Sequence, residues 1–386
     1  MSIENEEKWL EAIERTGFDL EYKIQGILKR HNWHVMNNRY YIDDRTGMDR
    51  EIDIVAYKVK DTEDVLFYTY LIISCKKSAE SSWVFLTTDQ DSNDQDFDSY
   101  PIEMAFTDSG MKALIKDEKY IMVEKLKVLP SWQRIYNAPH RVLAFQQINK
   151  RSFKCEDDKR IFSSIITAIK AAAYERKFIF EHNKVNKDLC INFHLISVFE
   201  GGLKENYRNS TINEIRDIQE IKYINRHIID NSDRTYRVHF ISDSAFESIL
   251  GQYDQLADDI AIYYDLLQKE VYENVFDESK HYRIEMAWEK FCDELVYEMH
   301  EEELRNSGDS CFGNSWITKF EYDKENCLLK IFWDFSFYSN PKAIIDELNQ
   351  DDVLKNITAA KLQKYFHYSK GFKFFLEPYG FMNGYR

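Results

Sequence analysis

Proline and glycine are scarce, 5 and 12 of 386 residues, which excludes a linker-rich, collagen-like or low-complexity chain. No apolar run approaches the roughly 18 residues that span a bilayer. The acidic start Met1-Ser2-Ile3-Glu4-Asn5-Glu6-Glu7-Lys8 has no signal-peptide pattern, so a cytoplasmic protein without a membrane partner is expected. The six cysteines form no CxxC pair, which argues against a zinc ribbon or a disulfide framework and for reduced, mostly buried thiols. Walker A, GxGxxG and HExxH motifs are missing, and with them any support for a nucleotide motor, a dinucleotide enzyme or a zincin. Positive charge is also short: 51 basic residues against 67 acidic ones leave a net charge of −16, a field that repels polyanions.

What is present is a globular composition, 44% apolar and 15% aromatic, long enough for two or three domains. The charge is uneven. Residues 81–110 carry seven acids and no base, whereas 111–190 hold 17 basic and 9 acidic residues, a net of +8. That window is the one place where an electrostatic footprint for phosphate can arise, although a solvated helical face explains it as readily.

The most informative stretch runs from Arg50 to Ser78. Arg50-Glu51-Ile52-Asp53-Ile54-Val55-Ala56-Tyr57 and the run from Val65 through Ser74-Cys75-Lys76-Lys77-Ser78 are rich in β-branched and aromatic residues and flank an acidic turn, which predicts a hairpin. Alternation along a strand puts Ser74 and Lys76 on one face, within reach of Asp53 on the neighbouring strand. Upstream, a helix is expected over 18–31, with Glu21 at the border of its apolar stripe.

This layout, with Gly17-Phe18-Asp19-Leu20-Glu21, Glu51-Ile52-Asp53-Ile54, Leu71-Ile72-Ile73-Ser74-Cys75-Lys76-Lys77-Ser78 and Trp83-Val84-Phe85-Leu86, resembles the PD-(D/E)XK, or restriction-endonuclease-like, nuclease superfamily over residues 17–86. The resemblance implies an α/β fold, a mixed sheet flanked by helices. It also implies a Mg²⁺ (or Mn²⁺) site held by Asp53 and Glu21, with Lys76 orienting water and stabilising negative charge. One position departs from the pattern: Ser74 stands where the family carries glutamate, and a hydroxyl is a weaker ligand than a carboxylate. In some restriction enzymes with serine at that position an acid on a following element reaches back into the site, which makes Asp89 a candidate, although an acidic run such as this one is usually a solvated loop. Glu51 shares the face of Asp53 but is expected at the periphery.

Along the rest of the chain, helices are expected over 3–15, 244–250, 257–275, 283–304 and 341–354, and one amphipathic stretch over 144–148 and 157–180. Strands are expected over 33–41, 188–199 (ended by Gly201-Gly202), 236–242, 316–322 and 327–337, and an exposed loop over 87–109. These divide the chain into a nuclease-like domain, 1–250, and a smaller α+β domain, 251–386, serving recognition, oligomerisation or partner binding. The aromatic tail 365–385 reads as core or subunit interface rather than a base-stacking platform, because its surroundings are acidic.

Two functions follow. One is a metal-dependent endonuclease acting on DNA, or less readily RNA, of the kind found in bacterial restriction and antiphage defence. The other is a degenerate nuclease fold that binds nucleic acid or a partner protein as a subunit of a defence complex. Ser74 favours the second; Asp53, Lys76 and Glu21 favour the first.

Overall fold

The chain's computed structural model describes residues 9, 12–13, 16–62, 65–90, 98, 100–117, 119–185, 187–229, 231–273, 275–276 and 281–377. Most of the helix expected over 3–15 lies outside them. The chain divides into two units, residues 1–107 with 123–263, and residues 108–122 with 264–386.

In the first unit, α1 (Phe18–Arg30) precedes β1 (His34–Ile42), β2 (Asp49–Asp61), β3 (Val65–Asp89) and β4 (Met104–Phe106). After α2 (Ser109–Asp117) and α3 (Lys119–Leu126) come α4 (Pro130–Tyr136), β5 (His140–Asn149), β6 (Cys155–Glu156), α5 (Lys159–His182), β7 (Asp188–Arg208), β8 (Asn213–Asp217), β9 (Glu220–Ile229), β10 (Ser232–Ser242) and α6 (Phe246–Glu273). The strands form one mixed, curled sheet in the order β1-β2-β3-β7-β10-β9, with β4 and β8 on β7 and β5 on β3.

The parallel pair β3 and β7 is the axis of this sheet, 25 and 21 residues long. Its outer partners change along its length. β2 pairs with β3 from Leu66 to Ile73, and β5 takes the same edge from Ser81 to Asp89. Between them Ser74 to Glu80 have no strand on that side, and the β3–β7 register shifts between Lys77 and Ser82. The gap comes directly from the sequence, because Lys76, Lys77, Ser78 and Glu80 interrupt two apolar runs.

Helices cover both faces. Helix α5 lays Ile161, Ile165, Ala168, Ile169 and Ala172 against Val55, Tyr70, Ile72, Leu195, Phe199, Val238 and Phe240. On the other face, Tyr136 of α4 and Tyr253 of α6 lie over His194, and Tyr253 hydrogen-bonds His239. Asn192, His194, Arg237 and His239 are buried here and have the opposite alternation from the α5 core.

The second unit contains α2, the rest of α6, α7 (His281–Ser307), and a three-stranded sheet of β11 (Trp316–Asp323), β12 (Leu328–Asp334) and β13 (Phe372–Leu376), with α8 (Pro341–Leu348) and α9 (Asp352–Phe366). Its core is aromatic: Phe320 packs edge to face on Phe276, Phe291 and Phe366, and Phe366 packs at a tilt on Phe276 and Phe291. Tyr365, Phe366, Tyr368 and Phe374 are buried in it, so these tail aromatics are core residues; 378–386 lie outside the described residues.

Several expectations are corrected. Residues 144–148 are a strand, not part of the amphipathic helix, since a short apolar run carries no decisive period. The strand expected to stop at Gly201-Gly202 runs through both. Residues 244–275 hold one helix from Phe246 to Glu273, and 341–354 hold the whole of α8 and the start of α9, separated at Asn349 to Asp351. The acidic loop is not uniformly exposed: Glu103 and Asp108 are buried and β4 lies within it. Of the cysteines, Cys75 and Cys190 are buried but Cys155 and Cys327 are exposed, and the described chain has no disulfide. Among the described residues, no helix is long and apolar enough to cross a membrane.

Candidate functional site

The gap in β3 is filled by a side chain. At the end of the β2–β3 ladder Asp53 turns its carboxylate toward β3, and Oδ2 accepts from the main-chain N–H of Cys75 at 2.6 Å and from Ser74 Oγ at 3.2 Å. The ammonium of Lys76 completes the set, 3.2 Å from Asp53 Oδ2 and 3.2 Å from the carbonyl oxygen of Cys75. Asp53 and Lys76 are largely covered but not sealed, whereas Ser74 is 0% exposed. The carboxylate therefore does what a neighbouring strand does elsewhere, giving a buried main-chain donor its acceptor.

Helix α1 brings the fourth residue. Leu20, Ile24, Ile27 and Leu28 are buried beneath it, which places Glu21 at the margin of the packed face, half-buried. Burial raises the pKa of Glu21; the charge of Asp53 raises it further, Lys76 partly offsets this, and Glu51 adds to the rise. All four residues picked from the sequence therefore act on one another electrostatically or by hydrogen bonds, and the exposed Glu51 contributes only its field.

Asp89 does not join them. It is the last residue of β3, thirteen positions beyond Lys76, and its carboxylate accepts from Tyr207 Oη and Asn209 Nδ2.

As donors for a metal, Asp53, Glu21 and the Cys75 carbonyl are hard oxygens of the kind Mg²⁺ and Mn²⁺ take, and the ammonium of Lys76 already occupies a position between two of them. The set is sparse. Among the described residues Asp53 belongs to no group of three side-chain ligands close enough to share an ion. Ser74 does not compensate, because its hydroxyl hydrogen is directed at Asp53.

Two features had no signal in the sequence. Ser197 of β7 pairs with Ser74, and its buried Oγ has no hydrogen-bond partner among the described residues. A cleft of about 1070 Å³ begins at Lys77 and Ser78, one residue past Lys76, and is also lined by Ser81, Gln147, Glu156 and Arg160. Glu156 lies in it with its pKa lowered by hydrogen bonds from Gln147, Ser81 and Asn149. Asp53, Ser74 and Glu21 are not part of its lining. No protein-family model matches the chain, and neither does any curated protein or solved structure.

Proposed function

We propose that the Glu21, Asp53 and Lys76 cluster is the site of a divalent-metal-dependent hydrolase acting on nucleic-acid phosphodiester bonds, in a restriction-endonuclease-like domain. The observation that carries this reading is the convergence of the Ser74 hydroxyl and the Lys76 ammonium on Asp53 Oδ2, each at 3.2 Å, with Glu21 near enough that burial first and the charge of Asp53 second raise its pKa. Asp53 and Glu21 would hold Mg²⁺ or Mn²⁺, which supplies charge neutralisation at the phosphate and a more acidic water. Lys76 then releases one of its two acceptors and donates to the phosphate, where its charge opposes the negative charge developing in the reaction.

A second reading, a nuclease fold that binds nucleic acid or a partner protein as a subunit of a defence complex without cutting, is favoured by Ser74, which puts a hydroxyl where the resembled pattern has a carboxylate. Incubation of supercoiled plasmid with Mg²⁺ or Mn²⁺ separates the two. Cutting by the wild type that Asp53→Ala and Lys76→Ala each abolish supports the enzyme. Equal cutting by all three proteins means a contaminant, and an intact plasmid at millimolar Mn²⁺ favours the binding protein.

A further inference from the structure

The hairpin joining β5 to β6 ends in Asn149-Lys150-Arg151-Ser152-Phe153-Lys154, within the basic window of the sequence. Phe153 at its tip is 81% exposed and sits at φ 53°. Both properties run against its chemistry. A phenyl ring in water forgoes burial, and a bulky residue in the left-handed region is strained by on the order of 1–2 kcal/mol, where glycine or asparagine is the usual occupant.

The turn leaves the residue no alternative. Asn149 Oδ1 accepts from the main-chain N–H groups of Arg151 and Ser152, both at 3.0 Å. Phe153 N–H donates to the carbonyl of Asn149, and Asn149 N–H to that of Lys154, again both at 3.0 Å. The hairpin is fixed to β3 by Lys150, whose N–H reaches Glu80 O at 2.7 Å and whose ammonium reaches Ala79 O at 3.2 Å. The ring is thus held outward by a rigid support, not left there by a loose loop.

Its neighbours are cationic. Among the described residues neither Arg151 nor Lys154 has an ion-pair partner, whereas inside the cleft Lys77 is paired with Glu200 and Lys159 with Asp157. Two cations without a carboxylate partner among the described residues thus flank the exposed ring, while Arg160 in the cleft donates to the carbonyl of Lys77. The cleft that begins beside Lys76 has Gln147 and Glu156, the facing residues of this hairpin, in its wall.

We propose that the hairpin tip is a nucleic-acid contact, with Phe153 stacking on an unpaired base while Arg151 and Lys154 meet the flanking phosphates. This rests on reading the Asp53 site as one that acts on nucleic acid. Aromatic stacking is tolerant of sequence and suits single-stranded or locally opened substrate, and the two cations supply the salt-sensitive part of the affinity.

The test is fluorescence anisotropy of a labelled single-stranded DNA of about 20 nucleotides, titrated with the full chain in EDTA at several salt concentrations. Phe153→Gly is expected to weaken binding about tenfold or more with the salt dependence unchanged, while its melting temperature stays level or rises because glycine relieves the strain. Arg151→Ala with Lys154→Ala is expected to reduce the slope of log K against log salt by about 1.4. Binding of Phe153→Gly within twofold of wild type, or no binding by the wild type, overturns the proposal. So does co-sedimentation with phosphatidylcholine–phosphatidylserine vesicles that depends on Phe153 while oligonucleotide binding does not. Phe153-dependent binding without metal-dependent cleavage removes only the catalytic reading; cleavage without that dependence removes only this one.

Discussion

The main-chain N–H of Cys75 donates to Oδ2 of Asp53 at 2.6 Å, at the point where β2 stops pairing with β3. One carboxylate both closes a gap in the sheet and fixes the candidate site, so its loss has a structural cost that is separable from any loss of activity. Asp53→Ala leaves the buried Ser74 hydroxyl and the Cys75 N–H without their acceptor and is expected to lower stability by about 2–4 kcal/mol in urea unfolding. Asp53→Asn keeps an acceptor oxygen and should recover most of that stability while still failing to bind metal.

Glu21 gives a prediction with a definite sign. Its folded pKa is raised, so the folded chain holds the proton more tightly than the unfolded one, and this contribution to stability is complete below the ordinary carboxylate pKa and is lost as pH rises through the folded value. Glu21→Gln is therefore expected to be at least as stable as wild type at pH 7, with the difference closing toward pH 4. Metal binding must displace the same proton, so Mn²⁺ affinity measured by calorimetry should rise with pH over this range and release protons.

A second ionic anchor lies between α5 and the β1–β2 turn. Lys170 reaches Asp43 at 2.8 Å and Asp44 at 2.6 Å, and its hydrogen bond is the main reason the Asp43 carboxyl is held far below its usual range. Lys170→Met strands two largely covered carboxylates and is expected to cost about 3–5 kcal/mol at pH 7. A depressed acid stabilises above its unfolded pKa and loses that contribution as pH falls through the folded one. The gap between mutant and wild type should accordingly shrink below pH 3.8, the ordinary aspartate value.

The parts of the fold that were legible were those in which period, composition and punctuation agreed. The two runs around Asp53 and Ser74 to Lys76 are long and β-branched, so their pairing and the meeting of those side chains followed from alternation alone. The same sequence did not reveal that 65–78 and 83–86 belong to one strand, because the polar stretch from Lys76 to Ser81 looks like a boundary. It is an irregularity within one strand: pairing with β7 runs to Lys77 and resumes at Ser82, and β5 joins the other edge from Ser81 once β2 has left. Gly201 misled in the same way. A Cβ there would come within 2.3 Å of the Phe199 ring and 3.0 Å of Ser78 O, so the glycine marks a close approach inside a strand and not its end. Asp89 does not reach back to the site, because an acid near a motif in sequence carries no information about which end of a 25-residue strand it occupies.

Ser74 is the position at which restoring a carboxylate discriminates most sharply. It is fully buried, with its hydroxyl on Asp53 and with Ser197, whose own hydroxyl has no partner among the described residues, directly across the β3–β7 ladder. Ser74→Glu puts a second negative charge beside Asp53 and a larger side chain into a site sized for serine, which without metal is expected to cost about 2–4 kcal/mol. Ser197 offers the new carboxylate a donor, so the fold should survive. The added hard ligand should tighten Mn²⁺ binding, and at a metal concentration about 100 times the dissociation constant the bound ion returns roughly 2.7 kcal/mol. Thermal melting with and without Mn²⁺ is the measurement: the variant should melt below wild type in EDTA and show the larger upward shift on metal addition. A shift no larger than that of wild type would mean that a carboxylate at position 74 adds no ligand to a cation at Asp53.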